Sequence, residues 1–85
     1  NLACEWGPKN VRVNCIAPGL IATDFATVLW EGEAGKAFVA KTPLGRLGQP
    51  DDIAGVALFL ASQAAKFVTG QCIVADGGVL QQDPF

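Results

Sequence analysis

The 85 residues make at most one small domain, able to bury roughly 60–65% of its unfolded surface if it folds alone. Hydrophobic residues make up 51% of the chain and charged ones 16%, so it reads as a piece of a larger core or as a subunit with much of its surface covered. The net charge of −2 and six scattered Lys and Arg exclude a basic nucleic-acid face, and the longest apolar run, residues 56–61, is far short of the ~18–20 a membrane span requires.

Nothing at the start resembles a secretory leader. Residues 1–6 read instead as the end of a helix, stopped by Gly7 as a C′ glycine and by Pro8, which cannot continue it. Residues 11–17 are a β-branched run with little polar alternation, as expected of a strand covered on both faces. Pro18 lacks a ladder donor, and Gly19 permits a turn or a close approach, so residues 18–24 form a loop. Residues 25–41 are helical but irregular. Phe25, Val28, Leu29, Phe38 and Val39 are apolar, and the stretch 31–35 interrupts them, which predicts two short helices around a flexible middle. A Gly- and Pro-rich loop covers 42–50. Pro50, Asp51 and Asp52 open a helix over 50–65, since proline suits the first turn and acids suit the positive end of the dipole. Ile53, Val56, Ala57, Leu60, Ala61 and Ala64 form its core stripe, while Leu58 and Phe59 widen it and imply a second buried face against another subunit. Thr69-Gly70 turns the chain into a second strand, 71–75, and Asp76-Gly77-Gly78 opens the tail, 76–85, with glycines at positive φ.

Strand, crossover and strand make one βαβ unit of an α/β fold, with ligands expected beyond the carboxyl ends of the strands. Two parallel strands cannot shield their own edges, so the unit needs more sheet beside it. Cys4, Cys15 and Cys72 are an odd count without metal or redox spacing, which fits a reducing cytosol. Cys15 and Cys72 read as buried inert thiols and Cys4 as partly exposed. With no histidine, the usual zinc and Ser-His-Asp designs are unavailable, and no metal site is expected. Arg46 reads as a surface or loop-anchoring arginine.

The pattern Asn14-Cys15-Ile16-Ala17-Pro18-Gly19, with Thr23 following, resembles the late strand and cofactor loop of the short-chain dehydrogenase/reductase (SDR) family. The resemblance runs on through Pro43-Leu44-Gly45-Arg46-Leu47-Gly48-Gln49-Pro50 and Thr69-Gly70-Gln71 to Asp76-Gly77-Gly78. It implies the C-terminal βαβ part of a doubly wound, Rossmann-like sheet, incomplete without the remainder of the domain. It also implies a parent oxidoreductase that uses NAD or NADP to move hydride to or from a small alcohol or carbonyl substrate. Pro18 and Gly19 would wall the nicotinamide ring, Ile21 would offer its backbone N–H and C=O to the carboxamide, and the Thr23 hydroxyl would bond the carboxamide or a phosphate oxygen. Read without the resemblance, Pro18-Gly19 merely ends a strand and Thr23 caps the next helix. Residues 25–48 would be a substrate lid, whose Phe25, Trp30 and Phe38 either line an apolar pocket or simply pack. The last helix and strand would join subunit contacts in a homo-oligomer. The resemblance also implies a salt bridge from Arg46 to Asp51 or Asp52.

The family's chemistry depends on a Ser and a Tyr-x-x-x-Lys, yet this chain has no tyrosine at all. The lone Ser62 lies far from Pro18 in sequence, and Gly45-Arg46-Leu47-Gly48 is not a phosphate-binding glycine fingerprint. No catalytic residue is therefore assigned, and these residues alone are expected to turn over nothing. The competing reading is a non-catalytic oligomerisation or interaction fragment built on the same fold. An enoyl-reductase relative within the broader family ranks third.

Overall fold

The computed structural model describes residues 1–23 and 31–81. Helix α1, Leu2–Trp6, starts on Asn1, whose Oδ1 accepts from the N–H groups of Ala3 (2.8 Å) and Cys4 (3.3 Å). It does not stop at Gly7 as expected. Gly7 keeps right-handed helical angles, and the chain tightens into a 3-10 turn, Gly7–Lys9. Pro8 is tolerated there because a first turn leaves its N–H unused in any case. Asn10 ends the turn at φ 61°, in the left-handed region that asparagine enters more readily than most residues.

The two strands, β1 (Cys15–Pro18) and β2 (Cys72–Ala75), lie side by side and parallel, with Cys15 opposite Cys72 and Pro18 opposite Ala75. β1 starts later than the expected residue 11 because side chains take over the ladder before it. Val13 N–H donates to Thr69 Oγ1 at 3.0 Å. Asn14 donates from Nδ2 to the Val68 carbonyl and accepts at Oδ1 from Gln71 N–H, both at 3.0 Å. At the other end Pro18 stays in the strand rather than opening the loop. The ladder there uses Gly19 N–H, which donates to the Ala75 carbonyl at 3.1 Å, so the missing proline donor costs nothing.

Helix α2, Glu33–Lys41, begins after Gly32 and carries Gly35 buried inside it, so the predicted break at 31–35 narrows to its first half. Thr42 ends it, buried, with Oγ1 donating to the Phe38 carbonyl at 2.8 Å. Helix α3, Pro50–Ala61, has Pro50 in its first turn. It is shorter than the predicted 50–65. Ser62 leaves helical geometry, its N–H and Oγ both donate to the Phe59 carbonyl, and Gln63–Ala65 form a separate 3-10 turn. Arg12 Nη1 donates to the Leu60 carbonyl at 2.7 Å, placing a cation at the negative end of the α3 dipole and tying β1's approach to the crossover.

α3 covers one face of the sheet, where Ile16 and its partner Ile73 are half-buried. On the opposite face Cys15, Cys72 and Val74 are exposed. The expectation of two buried thiols fails for that reason, since among the described residues only one face has a covering layer. The thiols touch each other at 3.3 Å, a contact that pushes Cys72 up from its ordinary range. Among the described residues no helix is long and apolar enough to cross a membrane.

Candidate functional site

The carboxyl ends of β1 and β2 deliver two loops to the same edge of the sheet. From β1 come Gly19, Leu20 and Ile21; from β2 come Asp76, Gly77 and Gly78. They touch. A Cβ on Gly19 would sit 2.9 Å from Asp76 Cα, so glycine is needed there for the loops to approach. Gly77 and Gly78 hold φ of 69° and 97°, and their turn is fixed by the Asp76 carboxylate, which accepts from Gly78 N–H (2.9 Å) and Leu80 N–H (2.8 Å). Gly77 also accepts from Leu44 N–H at 3.0 Å, bringing in the loop after α2.

That loop closes the third side. Gly48 N–H donates to the Leu20 carbonyl (3.0 Å), and Gly48 C=O accepts from Ala22 N–H (2.8 Å), a parallel bridge centred on Ile21. In such a bridge the central residue's own N–H and C=O point away from its partner. Ile21 therefore turns its amide groups to the side opposite Gly48; its carbonyl accepts from Thr23 N–H at 3.0 Å and keeps a second lone pair. A Cβ on Gly48 would meet the tip of the Ile21 side chain, so that side chain would have to move to admit one.

A cavity of about 170 Å³ lies between these loops, lined by Gly19, Leu20, Ile21, Phe38 and Asp76 among others. Arg46 and Asp52 stand at its polar side. Arg46 pairs bidentately with Asp52 at 2.8 and 3.0 Å, the partner expected from sequence narrowed to one of two aspartates. Asp52 Oδ2 also accepts from Gln49 N–H at 2.7 Å, capping α3. The Arg46 hydrogen bonds, helped by that N–H, hold the Asp52 carboxyl down at about 2. The same contact pushes the Arg46 guanidinium further up.

Of the residues singled out from sequence, Gly19, Ile21 and Phe38 line this cavity. Pro18 is the exposed last residue of β1, and Thr23 is half-buried just beyond Ile21. Phe25 and Trp30 lie outside the described residues. Sequence reasoning gave Gly48 and the Asp76 carboxylate no role in the site, although both stand in runs that carry the family resemblance. Among the described residues no cluster of three or more Cys, Asp or Glu is placed to hold a metal ion.

A parallel strand pair with a cavity at its carboxyl edge is the setting in which α/β proteins bind ligands, and comparison with known proteins agrees with it. Residues 1–80 match the family model described as enoyl-(acyl carrier protein) reductase. The chain belongs to the short-chain dehydrogenase/reductase family. It is 48% identical over 79 residues to dehydrogenase/reductase SDR family member 4 of Mus musculus, covering 92% of this chain and 28% of that protein. Among solved structures it superposes with TM-score 0.90 at 45% identity on a protein from Agrobacterium tumefaciens, provisionally named a 2-deoxy-d-gluconate 3-dehydrogenase and solved with bound NADP. That match covers 95% of this chain and 33% of the other. It also matches a 4-hydroxyisoleucine dehydrogenase mutant complexed with NADH and succinate, with TM-score 0.88 and 34% identity, over 96% of this chain and 34% of that one. The chain thus spans about a third of the length of these SDR relatives, and its two-stranded sheet with helices is a partial α/β fold.

Proposed function

We propose that this chain is the C-terminal part of an NAD(P)-dependent oxidoreductase and forms the nicotinamide end of its site. A nicotinamide nucleotide, when bound, accepts or donates the hydride exchanged with an alcohol or carbonyl carbon. What this chain's residues do is hold and orient. Gly19 leaves a wall without a side chain at the strand end, with the Pro18 ring beside it. Ile21 presents an N–H and a C=O on the side away from Gly48, one donor and one acceptor for an amide, and such a pair fixes which ring face meets the substrate. Thr23 adds a hydroxyl beyond it, and Phe38 on α2 closes the apolar side as part of a lid. The cavity is smaller than the ~300 Å³ at which sites for whole drug-sized ligands begin, so it suits the ring end of a dinucleotide and not its full length.

The single observation that carries this reading is the bridge between Ile21 and Gly48, which aims the Ile21 amide groups off the loop. Titrating the isotopically labelled chain with NAD⁺ and NADP⁺ tests it by NMR. Shifts concentrated at residues 18–23 are expected, and their absence at millimolar nucleotide overturns the reading. The chain alone, lacking tyrosine, is expected to show no dehydrogenase turnover; measurable activity from it would contradict the division of labour. The relatives named above were solved with NADP in one case and NADH in the other, so both nucleotides belong in the titration. A reducing cytosol is the compartment proposed.

A second reading, a non-catalytic interaction fragment, is favoured by the full exposure of Phe67 and the exposure of Leu58 on α3. Apolar side chains in that state serve a contact with other protein. The same titration separates the two, because this reading expects no nucleotide-induced shifts at residues 18–23.

A further inference from the structure

We infer that Arg46 and Asp52 are positioning residues for Ile21, acting through the two peptide groups that flank Gly48. The inference rests on the nicotinamide reading for what Ile21 holds, and on main-chain geometry for how Ile21 is held. Gly48 makes the bridge with one group from each of those peptides. Its N–H donates to the Leu20 carbonyl at 3.0 Å, and its carbonyl accepts from Ala22 N–H at 2.8 Å. Both peptides are trans. A trans peptide is planar, with its C=O and N–H pointing opposite ways, so a grip on one end of the plane aims the other. Both outer ends are gripped. The Leu47 carbonyl, opposite Gly48 N–H, accepts from Arg46 Nη1 at 3.0 Å. Gln49 N–H, opposite the Gly48 carbonyl, donates to Asp52 Oδ2 at 2.7 Å. Arg46 and Asp52 are locked to each other by two further hydrogen bonds, at 2.8 and 3.0 Å, so the two grips share one centre.

The arrangement answers a physical need. Glycine turns about its backbone bonds more freely than any other residue, and Gly48 carries both planes on one Cα. Without the grips, each plane would be free to rotate away from the loop after β1. Ile21 lies between Leu20 and Ala22, the two residues that Gly48 bonds, and its own N–H and C=O point the other way. Rotation of either plane would therefore tilt the donor and acceptor that Ile21 presents to a carboxamide. Arg46 suits the task because a planar guanidinium serves both carboxylate oxygens and a carbonyl in one fixed geometry, which a flexible ammonium does not. Neither side chain is assigned a contact with the nucleotide. Both act on it through the bridge.

Amide hydrogen exchange of the full chain, followed by NMR, reads the two planes directly, with Gly19 N–H in the strand ladder as the internal reference. Arg46→Met frees the Leu47–Gly48 plane and leaves Asp52 on Gln49 N–H. Exchange at Gly48 is then expected to quicken roughly 3–10-fold relative to Gly19, the factor one hydrogen bond governs, with Ala22 changing less. Asp52→Ala frees both planes, and Gly48 and Ala22 are expected to quicken together. In both variants the Ile21 amide shift at a fixed, subsaturating concentration of NAD⁺ or NADP⁺ is expected to fall by a similar factor. Arg12→Met, which removes a tie to the Leu60 carbonyl outside this loop, is the structural control. It is expected to quicken Gly19 as much as Gly48 and to leave the Ile21 shift unchanged. Arg46→Met keeps the Asp52 cap of α3, so it tests the inference even where Asp52→Ala folds poorly. Exchange at Gly48 that rises no more than at Gly19 in Arg46→Met, or an Ile21 shift that persists in full there, would overturn the inference. A parent chain without nucleotide shifts at residues 18–23 would instead overturn the nicotinamide reading, and the exchange pattern would still decide whether Arg46 and Asp52 hold the bridge.

Discussion

Gly19 shows how one position is constrained from two sides. Its N–H extends the strand ladder to Ala75, while its missing side chain lets the backbone of Asp76 come within contact distance. A methyl group there would meet backbone, which cannot swing aside as a side-chain tip can. Gly19→Ala is expected to destabilise the fold by about 1–3 kcal/mol, the usual range for overpacking. Urea unfolding without any nucleotide measures it, and an unchanged midpoint would show that the two loops can part freely. Asp52 is constrained by charge instead. Its folded carboxyl lies at about 2, against about 3.9 in an unfolded chain. The contribution of the Arg46–Asp52–Gln49 contacts is therefore complete above about pH 4 and fades as pH falls toward 2. Asp52→Asn removes that titration, so its melting temperature is expected to change less between pH 4 and pH 2 than that of the parent chain. Parallel acid slopes in the two proteins would place the acid sensitivity elsewhere. The pair is solvent-exposed, so salt is expected to shrink the difference.

At the scale of elements, the approach to the sheet depends on Asn14, whose amide spans Val68 C=O and Gln71 N–H. Asn14→Ala leaves both backbone groups without these partners and is expected to cost about 1–3 kcal/mol, from two bonds at roughly 0.5–1.5 kcal/mol each. Asn14→Asp keeps the acceptor and loses the donor, so its urea midpoint is expected between those of the parent and the alanine variant. An aspartate variant as stable as the parent would mean that the Val68 bond contributes nothing. Asn14 also marks the boundary of what the sequence discloses about this fold. The β-branched run, the Pro50 helix start and the glycine turn after Asp76 are local signals, and local chemistry decides them. The late start of β1 is not local: it arises because side chains some 55 residues apart in sequence replace main-chain ladder bonds. The exposure of Cys15 and Cys72 was illegible for a related reason, since an apolar strand does not say whether both of its faces find a cover. In the candidate site, Gly19 and Ile21 were readable from the Pro-Gly pattern and its resemblance. Gly48 and Asp76 meet them only through the fold.

Taken as a whole, the molecule exposes more surface than its size requires. Its accessible area is 6369 Å², where a compact monomer of 8.8 kDa exposes about 4,800 Å². Its radius of gyration is 15.7 Å, against roughly 12 Å for a compact domain of this length. The surplus, about 1,600 Å², is about twice the ~800 Å² that each partner buries in a standard protein–protein interface. Much of the apolar part lies where packing stops short. Leu58 is 73% exposed on the outer side of α3 and Phe67 is 100% exposed after the following turn, while Val74 opens onto the uncovered face of the sheet. Parallel sheets are stable when both faces are covered, and this one has both strands at an edge. The chain is therefore expected to associate with itself when no other partner is supplied, with a sedimentation coefficient that rises across the micromolar range. Leu58→Glu combined with Phe67→Glu sets charges on two of these positions without touching the sheet or the cavity loops. That variant is expected to move the distribution toward monomer while leaving the far-ultraviolet circular dichroism of the helices unchanged. A parent chain that sediments as a single monomeric species at every concentration would mean that these apolar faces are tolerated in water. The tolerance would then have to come from rearrangement of α3 against the sheet, which hydrogen exchange at Ile53, Val56 and Leu60 would register as lost protection.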